Sequence, residues 1–472
     1  MNMNKYQQDP LLQSAIHLDG VNSEKDILDW VQKNLESNQY EVNLTPLTKL
    51  KGWKFLDDRK CYGHESGKFF QIQGLEVSLD RGGYVFRWSQ PIINQPEVGI
   101  LGFISKKIDG VLHVLAQAKM EPGNVNLIQI SPTVQATRSN YTQAHGGRKP
   151  KYIEYFIDGG KKNILLDQLQ SEQGARYLEK RNRNIIIQIP DDAFVEAQND
   201  FIWMTLGQLQ KLMRYPNLVH LDCRSILGSI AYGAQGFGLK DADYDFSSLA
   251  LGSIINQDTN DLDHGLSKAI AWITEQKSFN QIEKKIVPLS QVPKWIVDDN
   301  EIYHQSGKFF SIVGVSVRAT NREVAGWDQP LVFSKAGGII GLLARVQNGI
   351  LRFLIQALPE PGLIDLVELA ATVQFTPENY SDTSEIAIPP FAQFFINPDQ
   401  GSIRFDSVLS DEGGRFYHSM QRHLVVEIDE DLQIQIPKNY LWMTLREIQA
   451  FARFSNQVNI ELRSMLSCVG LA

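Results

Sequence analysis

The sequence predicts an α+β fold in two tandem copies, and three patterns carry that prediction. Residues 88–224 match residues 327–463 without a gap at a constant shift of 239, placing Trp88 on Trp327, Gln117 on Gln356, Glu121 on Glu360 and Arg224 on Arg463. Each copy holds short segments that alternate apolar and polar residues between Gly-containing turns, as antiparallel or mixed strands do. Stretches of helical spacing flank those segments in both copies.

The first helix is predicted after Ser23, which forms a variant capping box with Asp26 and precedes the stripe Ile27, Trp30, Val31 and Leu35. Leu266, Ile270 and Ile273 repeat that stripe in the second copy. Strands follow, for example along Phe69–Val77, punctuated by Gly82-Gly83, Asp109-Gly110 and Pro122-Gly123. Leu169, Gln173, Tyr177 and Lys180 fit a helix over 167–183, Asn184–Ile189 returns to strand, and Thr205 caps a last helix to Arg214. The division is residues 1–227 as first copy, 228–263 as a linker with Gly233, Gly236 and Gly238, and 264–472 as second copy.

With 43% hydrophobic and 21% charged residues, the composition is that of an ordinary globular protein. A net charge of −8 argues against a nucleic-acid partner, and no apolar run is long enough to span a bilayer. Without a basic segment leading into an apolar one at the start, the expected location is the cytoplasm. Cys61, Cys223 and Cys468 lack metal-ligand spacing and read as reduced thiols. No metal site and no cofactor motif is expected: HExxH, GxSxG and CxxC are all missing, and Gly63–Lys68 lacks the features of a phosphate loop.

Two adjacent strands carry unusual polar content. Alternation puts His113, Leu115, Gln117 and Lys119 on one face of 111–119, and Gln129, Ser131, Thr133, Gln135 and Thr137 on one face of 129–137. Either a solvated sheet face or a pocket lined with hydrogen-bonding groups would give this pattern; the scarcity of Lys and Glu favours the pocket. The copies also differ where chemistry matters, since Lys119 becomes Leu358, His113 becomes Arg352, Glu97 becomes Ala336 and Ser131 becomes Ala370. Glu121 is either a turn carboxylate or a catalyst, and Trp88 and Trp327 are either core residues or stacking platforms for a base.

The strings Trp88–Pro91, Gln95–Gly99, Gln117–Asn124, Ser131–Tyr141 and Leu169–Gly174, with Ser410–Tyr417 and Val458–Arg463 in the second copy, resemble the NDP-hexose 2,3-dehydratase family over nearly the whole chain. The resemblance implies two domains similar to the Nudix hydrolase fold, a homodimer, and action without cofactor on a dTDP-linked 4-keto-6-deoxy sugar in deoxysugar biosynthesis, with a downstream 3-ketoreductase as partner. It implies Lys119, Glu121, His113 and Glu97 as the titratable catalytic candidates. It further implies Gln117, Asn124, Ser131, Thr133 and Gln135 around the sugar, Trp88, Gln90 and Tyr141 as other substrate contacts, and Arg138, Arg176, Arg181 or Arg183 on the diphosphate. Trp327, Gln329, Gln356, Glu360, Thr372, Gln374 and Arg415 would form a second nucleotide-sugar site. Two other readings are a non-catalytic nucleotide-sugar sensor or scaffold, which would not need the titratable set, and a Nudix-type pyrophosphohydrolase, which would need a carboxylate box that the sequence lacks.

Overall fold

The computed structural model describes residues 9–57, 59–143, 146–157, 163–233, 245–255, 259–380 and 387–471, with side chains of the helix beginning at Thr259 described from residue 265. Its class is mixed α+β. Each copy contributes a seven-stranded mixed sheet among the described residues. In the first copy its spine is Gly99–Ile108 hydrogen-bonded antiparallel to Val111–Met120 and parallel to Arg181–Gln188. Gly338–Gln347, Ile350–Pro359 and Met420–Glu427 repeat that arrangement in the second copy. Val111–Met120 is almost wholly buried on both faces, so the polar residues on it point into protein.

Beside each large sheet lies a smaller one, and here the copies exchange strands. Tyr40–Thr45 of the first copy pairs antiparallel with Ser311–Ala319 of the second, while Asn280–Val287 of the second pairs with Gln71–Arg81 of the first. Tryptophans lock the exchange. Trp53 Nε1 donates to Asp328 O at 2.7 Å, and its repeat partner Trp295 donates to Ser89 O at 3.1 Å. The local reason is the short 3-10 turn after Pro46 and after Pro288, which brings the chain back from the other copy's sheet to its own.

At the pseudo-twofold axis the helices Leu221–Gly228 and Ile460–Cys468 cross. Arg224 and Arg463, each 1% exposed, reach into the opposite copy, where Arg224 meets Ser410 O, Ser464 Oγ and His423 Nε2, and Arg463 meets Ser171 O at 2.6 Å and Ser225 Oγ at 3.1 Å. A buried guanidinium without such partners would carry a penalty of several kcal/mol, roughly, so these contacts fix how the copies dock. The main hydrophobic core is correspondingly shared, running from Phe103 and Val114 to Phe353 and Leu369, with smaller private clusters around Phe156 and Phe395. Packing private to one copy is concentrated in those satellites.

Two expectations need correction. Residues 167–183 are not a helix: Asn163–Ser171 and Arg181–Gln188 are antiparallel strands joined by a loop. Helical spacing over a short mixed stretch is ambiguous, and pairing with distant strands decides it. The linker also contains a packed helix, Phe246–Ile255, whose Ser253 Oγ donates to Leu351 O and accepts from Leu445 N, as Ser14 Oγ does with Leu112 O and Leu206 N. Repeated structure thus begins well before residue 264. Gly236 and Gly238 lie outside the described residues; the caps at Ser23 and Thr205 form as full capping boxes. No helix among the described residues is long and apolar enough to cross a membrane. Cys61, Cys223 and Cys468 are free thiols.

The tightest contact between copies is backbone on backbone. Gly123 N donates to Gly413 O at 2.8 Å, and Gly362 N donates to Gly174 O at 2.7 Å. A Cβ on Gly362 would sit 1.7 Å from Tyr177 O, and one on Gly123 1.7 Å from Phe416 O. Gly362→Ala should therefore separate the copies locally and destabilise the protein by about 2–3 kcal/mol, measured by urea denaturation. A variant as stable as the parent would show that this packing is not the constraint described.

Candidate active site

That glycine contact places a Glu-Pro-Gly turn of the first copy against the Gly413-Gly414-Arg415 turn of the second, and between them opens a cavity of about 720 Å³. Its inner wall belongs to the first copy: Lys119, Glu121, Gln135, Asp222, Lys180 and Asn182. Its opposite wall, with Arg322, Trp327, Gln329, Glu412 and Arg415, belongs to the second. Trp53, His64, Phe69 and Phe70 form an aromatic mouth, with Lys51 and Lys68 beside it.

A chain of hydrogen bonds runs along the inner wall. Lys119 Nζ lies 3.0 Å from both the backbone oxygen and Oε1 of Gln135, so two of its hydrogens are committed. Gln135 Nε2 donates to Glu121 Oε1 at 2.8 Å, and Glu121 Oε2 is 2.7 Å from His220 Nε2. His220 is the N-cap of Leu221–Gly228, and its Nδ1 accepts from the Asp222 backbone N–H at 3.1 Å. The cap therefore assigns the ring proton to Nε2, aimed at Glu121. Helix capping, a local matter, orients the whole chain.

Burial and neighbouring charge drive these groups apart. Burial, helped by Arg322, lowers the Lys119 pKa against the pull of Glu121, Glu323 and Asp222. Burial would raise Glu121, but His220, Lys119 and Arg322 outweigh it and bring the carboxyl to about 2. Asp222 is raised well above the usual range by burial and by Glu412, Glu172 and Glu121. One cavity thus holds a lysine inclined to lose its proton, a fixed carboxylate and a carboxyl inclined to keep its own, the combination that acid–base chemistry needs.

Of the residues singled out from sequence, Lys119, Glu121 and Gln135 meet at this cavity. His113 does not: it lies at the far end of the same strand, where Nε2 accepts from Val21 N and the ring contacts Val111 O. Glu97 stands behind the wall, accepting from Ser139 through its carboxylate and from Lys180 through its backbone. Thr133 clips Leu115 O to Ile104 N inside the sheet, as Thr372 clips Leu354 O to Leu343 N. Ser131 and Asn124 are fully buried, Gln117 bonds Asp200, and Tyr141 packs in a private core. Arg138 is exposed, Arg181 is half-buried at its strand end and Arg183 pairs with Asp167 at 2.6 Å, none of them lining the cavity.

The strand exchange also reverses an assignment. Trp327, Gln329 and Arg415, expected in a second site, line the first copy's cavity: Trp327 Nε1 donates to Gln329 Oε1, Gln329 Nε2 to Gly414 O, and Arg415 stacks 4.3 Å over Phe70. Trp88, Gln90 and Arg176, expected in the first, repeat those contacts on the other side, where Arg176 stacks 4.3 Å over Phe310 and faces Asp411, Glu360 and Glu461. There the chain of four becomes Leu358, Glu360, Gln374 and Asn459, with Glu461 in place of Asp222. Burial and mutual repulsion push Glu360 well up and Glu461 to about 7. A pocket of about 530 Å³ by Tyr303, His304, Lys308 and Lys335 opens on this side without reaching Glu360 or Gln374. Gln356 sits within its sheet, opposite Ala370 and Tyr440.

His220, Asp222, Lys180, Asn182 and Arg322 were missed. A signal existed for the first three, because they face Asn459, Glu461 and Ser419 at the shift of 239, as Lys119 faces Leu358. For Arg322 the divergent hairpin tip marks the place but not the role, since nothing local ties residue 322 to residue 119.

A family model described as NDP-hexose 2,3-dehydratase matches residues 24–230 and again 266–469. The chain is 42% identical over 445 residues to a dTDP-4-dehydro-6-deoxy-alpha-D-glucopyranose 2,3-dehydratase of Saccharopolyspora spinosa, covering 93% of this chain and 89% of that one. Enzymes of the same description from Amycolatopsis orientalis and Streptomyces violaceoruber are 39% and 38% identical, over 98% and 93% of this chain and 94% and 95% of theirs.

Glu121 links the site to stability. Its carboxyl falls from 4.5 to about 2 on folding, so its contribution is complete above the unfolded value and is lost as pH drops from about 4.5 toward 2. Glu121→Gln should be less stable by about 2–3 kcal/mol at pH 7, with the deficit fading across that window in urea titrations. A deficit independent of pH would contradict the ionic account.

Proposed function

Because the chain belongs to the NDP-hexose 2,3-dehydratase family, we propose that it removes water across C2 and C3 of dTDP-4-keto-6-deoxy-glucose, giving the 3,4-diketo-2,6-dideoxy sugar. The observation that carries the residue roles is the chain from Lys119 through Gln135 and Glu121 to His220 at the cavity wall.

The C4 ketone acidifies the hydrogen on C3. Lys119 takes that proton, because two of its N–H groups point at Gln135 and the remaining valence of the amine faces the cavity. The ammonium so formed stabilises the enolate beside it. Asp222, held neutral, gives its proton to the C2 hydroxyl, which leaves as water. The product is then an enol with C2 double-bonded to C3. Ketonisation returns the Lys119 proton to C2 while the Asp222 carboxylate takes the enol proton, so both groups end as they began. Every step is a proton transfer. Glu121 has both oxygens committed and serves as a positioning residue that fixes Gln135.

The nucleotide end of the substrate is read by the aromatic mouth and Arg415, where a guanidinium suits paired phosphate oxygens. The second copy, with leucine in place of the lysine and carboxyls raised by burial, is an auxiliary nucleotide-sugar site rather than a catalytic one. The Nudix-like kinship of each copy, association as a homodimer, and a 3-ketoreductase to consume the reactive diketone complete this reading.

In D2O the protein should convert dTDP-4-keto-6-deoxy-glucose with loss of one water and deuterium entering at C2, followed by NMR and mass spectrometry. Lys119→Ala should lower kcat by about 10³-fold, and Glu360→Gln should leave it within about twofold. Lys119→Ala retaining more than about a tenth of the parental kcat, or equal losses in both variants, would sink the assignment.

A further inference from the structure

The two hairpins that face the two sites differ at their tips. In the first copy, Gln71–Arg81 and Tyr84–Asn94 stay paired up to Arg81 and Tyr84, around Gly82-Gly83, and the tip projects outward with Tyr84 77% exposed. In the second copy, pairing stops at Arg318 and Gly326, and residues 320–325 fold back over the first copy's cavity. The strands match at a shift of 240 up to Val77 and Val317 and at 239 from Trp88 and Trp327, so the second hairpin is one residue shorter, and sequence and backbone diverge at the same place.

The folded-back turn is held by the first copy. Thr320 exchanges hydrogen bonds with Gln39, Arg148 donates from its backbone to Glu323 O and from Nη2 to Arg322 O, both at 3.1 Å, and Arg322 Nη1 donates to Met120 O at 2.5 Å. Met120 lies between Lys119 and Glu121. The guanidinium stands 5.7 Å over the Trp327 ring and lines the cavity. Charged groups facing Lys119 are Glu121 from its own strand, Asp222 from the axis helix, and Arg322 and Glu323 from the turn.

We propose that Arg322, delivered by the second copy, is a positioning residue of the dehydration site, its fixed positive charge opposing a second positive charge on the Lys119 amine. The inference rests on the reading of Lys119 as base. A neighbouring cation favours the proton-free amine, which is the state that can accept the C3 proton. In the twin hairpin Arg81 lies 5.7 Å over its own Phe86 ring, and Leu358 has no charge to set. Exchange of strands between copies is thereby useful to the chemistry: one copy supplies the base and the other sets its protonation.

The test uses the full-length protein with Arg322→Gln, which removes the charge but keeps a donor for Met120 O, and Arg322→Lys, which keeps the charge. Two pH titrations are read: kcat, and acetylation of Lys119 by acetic anhydride followed by mass spectrometry. In Arg322→Gln the acid limb of kcat and the acetylation midpoint should both move to higher pH, with kcat on the acid limb down about tenfold and regained at alkaline pH. Arg322→Lys should leave both near the parent. A uniform loss of kcat with an unmoved midpoint, or a raised KM alone, overturns the inference. The acetylation midpoint needs no turnover, so a parent protein without dehydratase activity but with a midpoint that shifts in Arg322→Gln would refute the function while supporting the charge effect.

Discussion

Everything at the site depends on two backbone contacts, Gly123 N to Gly413 O and Gly362 N to Gly174 O, where the two copies touch with no room for a side chain. Such close approach brings Glu121, two residues before Gly123, within reach of the second copy's Gly414 and Arg415. The exchanged strands and the crossed guanidiniums of Arg224 and Arg463 hold that approach from two other directions. A cavity walled by both copies is the result, and neither copy alone would enclose it.

The pseudo-symmetry makes the chemistry legible by contrast. Both sides keep the carboxylate, the glutamine and an N-capping residue on the axis helix, because these also build the turn and the helix end. Only one side has the lysine, since Leu358 stands opposite Lys119. Glu121 is lowered against its burial by His220 first and then by Lys119 and Arg322; with Asn459 and Leu358 at the matching positions, Arg176 and Arg463 do not offset the burial and neighbouring carboxyls that raise Glu360 and Glu461. Two replacements, at 119 and at 220, thus separate a set of groups with opposed shifts from a set of buried acids on nearly the same backbone. His220 for Asn459 adds a proton donor directed at the carboxylate, at a capping position where asparagine would serve the helix equally well.

Where sequence reasoning succeeded, the cause was local. The duplication, the caps at Ser23 and Thr205 and the strand pattern around Val111–Met120 are encoded within a few residues or in direct self-comparison. It failed where a choice depended on distant partners. Residues 167–183 carry a helical spacing, yet parallel pairing of Arg181–Gln188 with Gly99–Ile108 draws them into a sheet. Polar residues on one face of a strand were all candidates for the pocket, yet Thr133 serves the sheet and Gln129 the contact between copies, leaving Gln135 and Thr137 to line the cavity.

By itself the sequence determined that the chain is duplicated, that its class is α+β, which family it resembles, and that Lys119 and Glu121 are where the copies' chemistry parts or persists. Identity, spacing and self-similarity are enough for that. Only the tertiary structure decided which tryptophan, glutamine and arginine belong to which site, because strand exchange sends Trp327, Gln329 and Arg415 across to Lys119 and leaves Trp88, Gln90 and Arg176 on the other side. Burial, too, belongs to the fold alone: the same lysine, glutamate and aspartate would be ordinary titrating groups in water, and their protonation states separate because the two copies close over them.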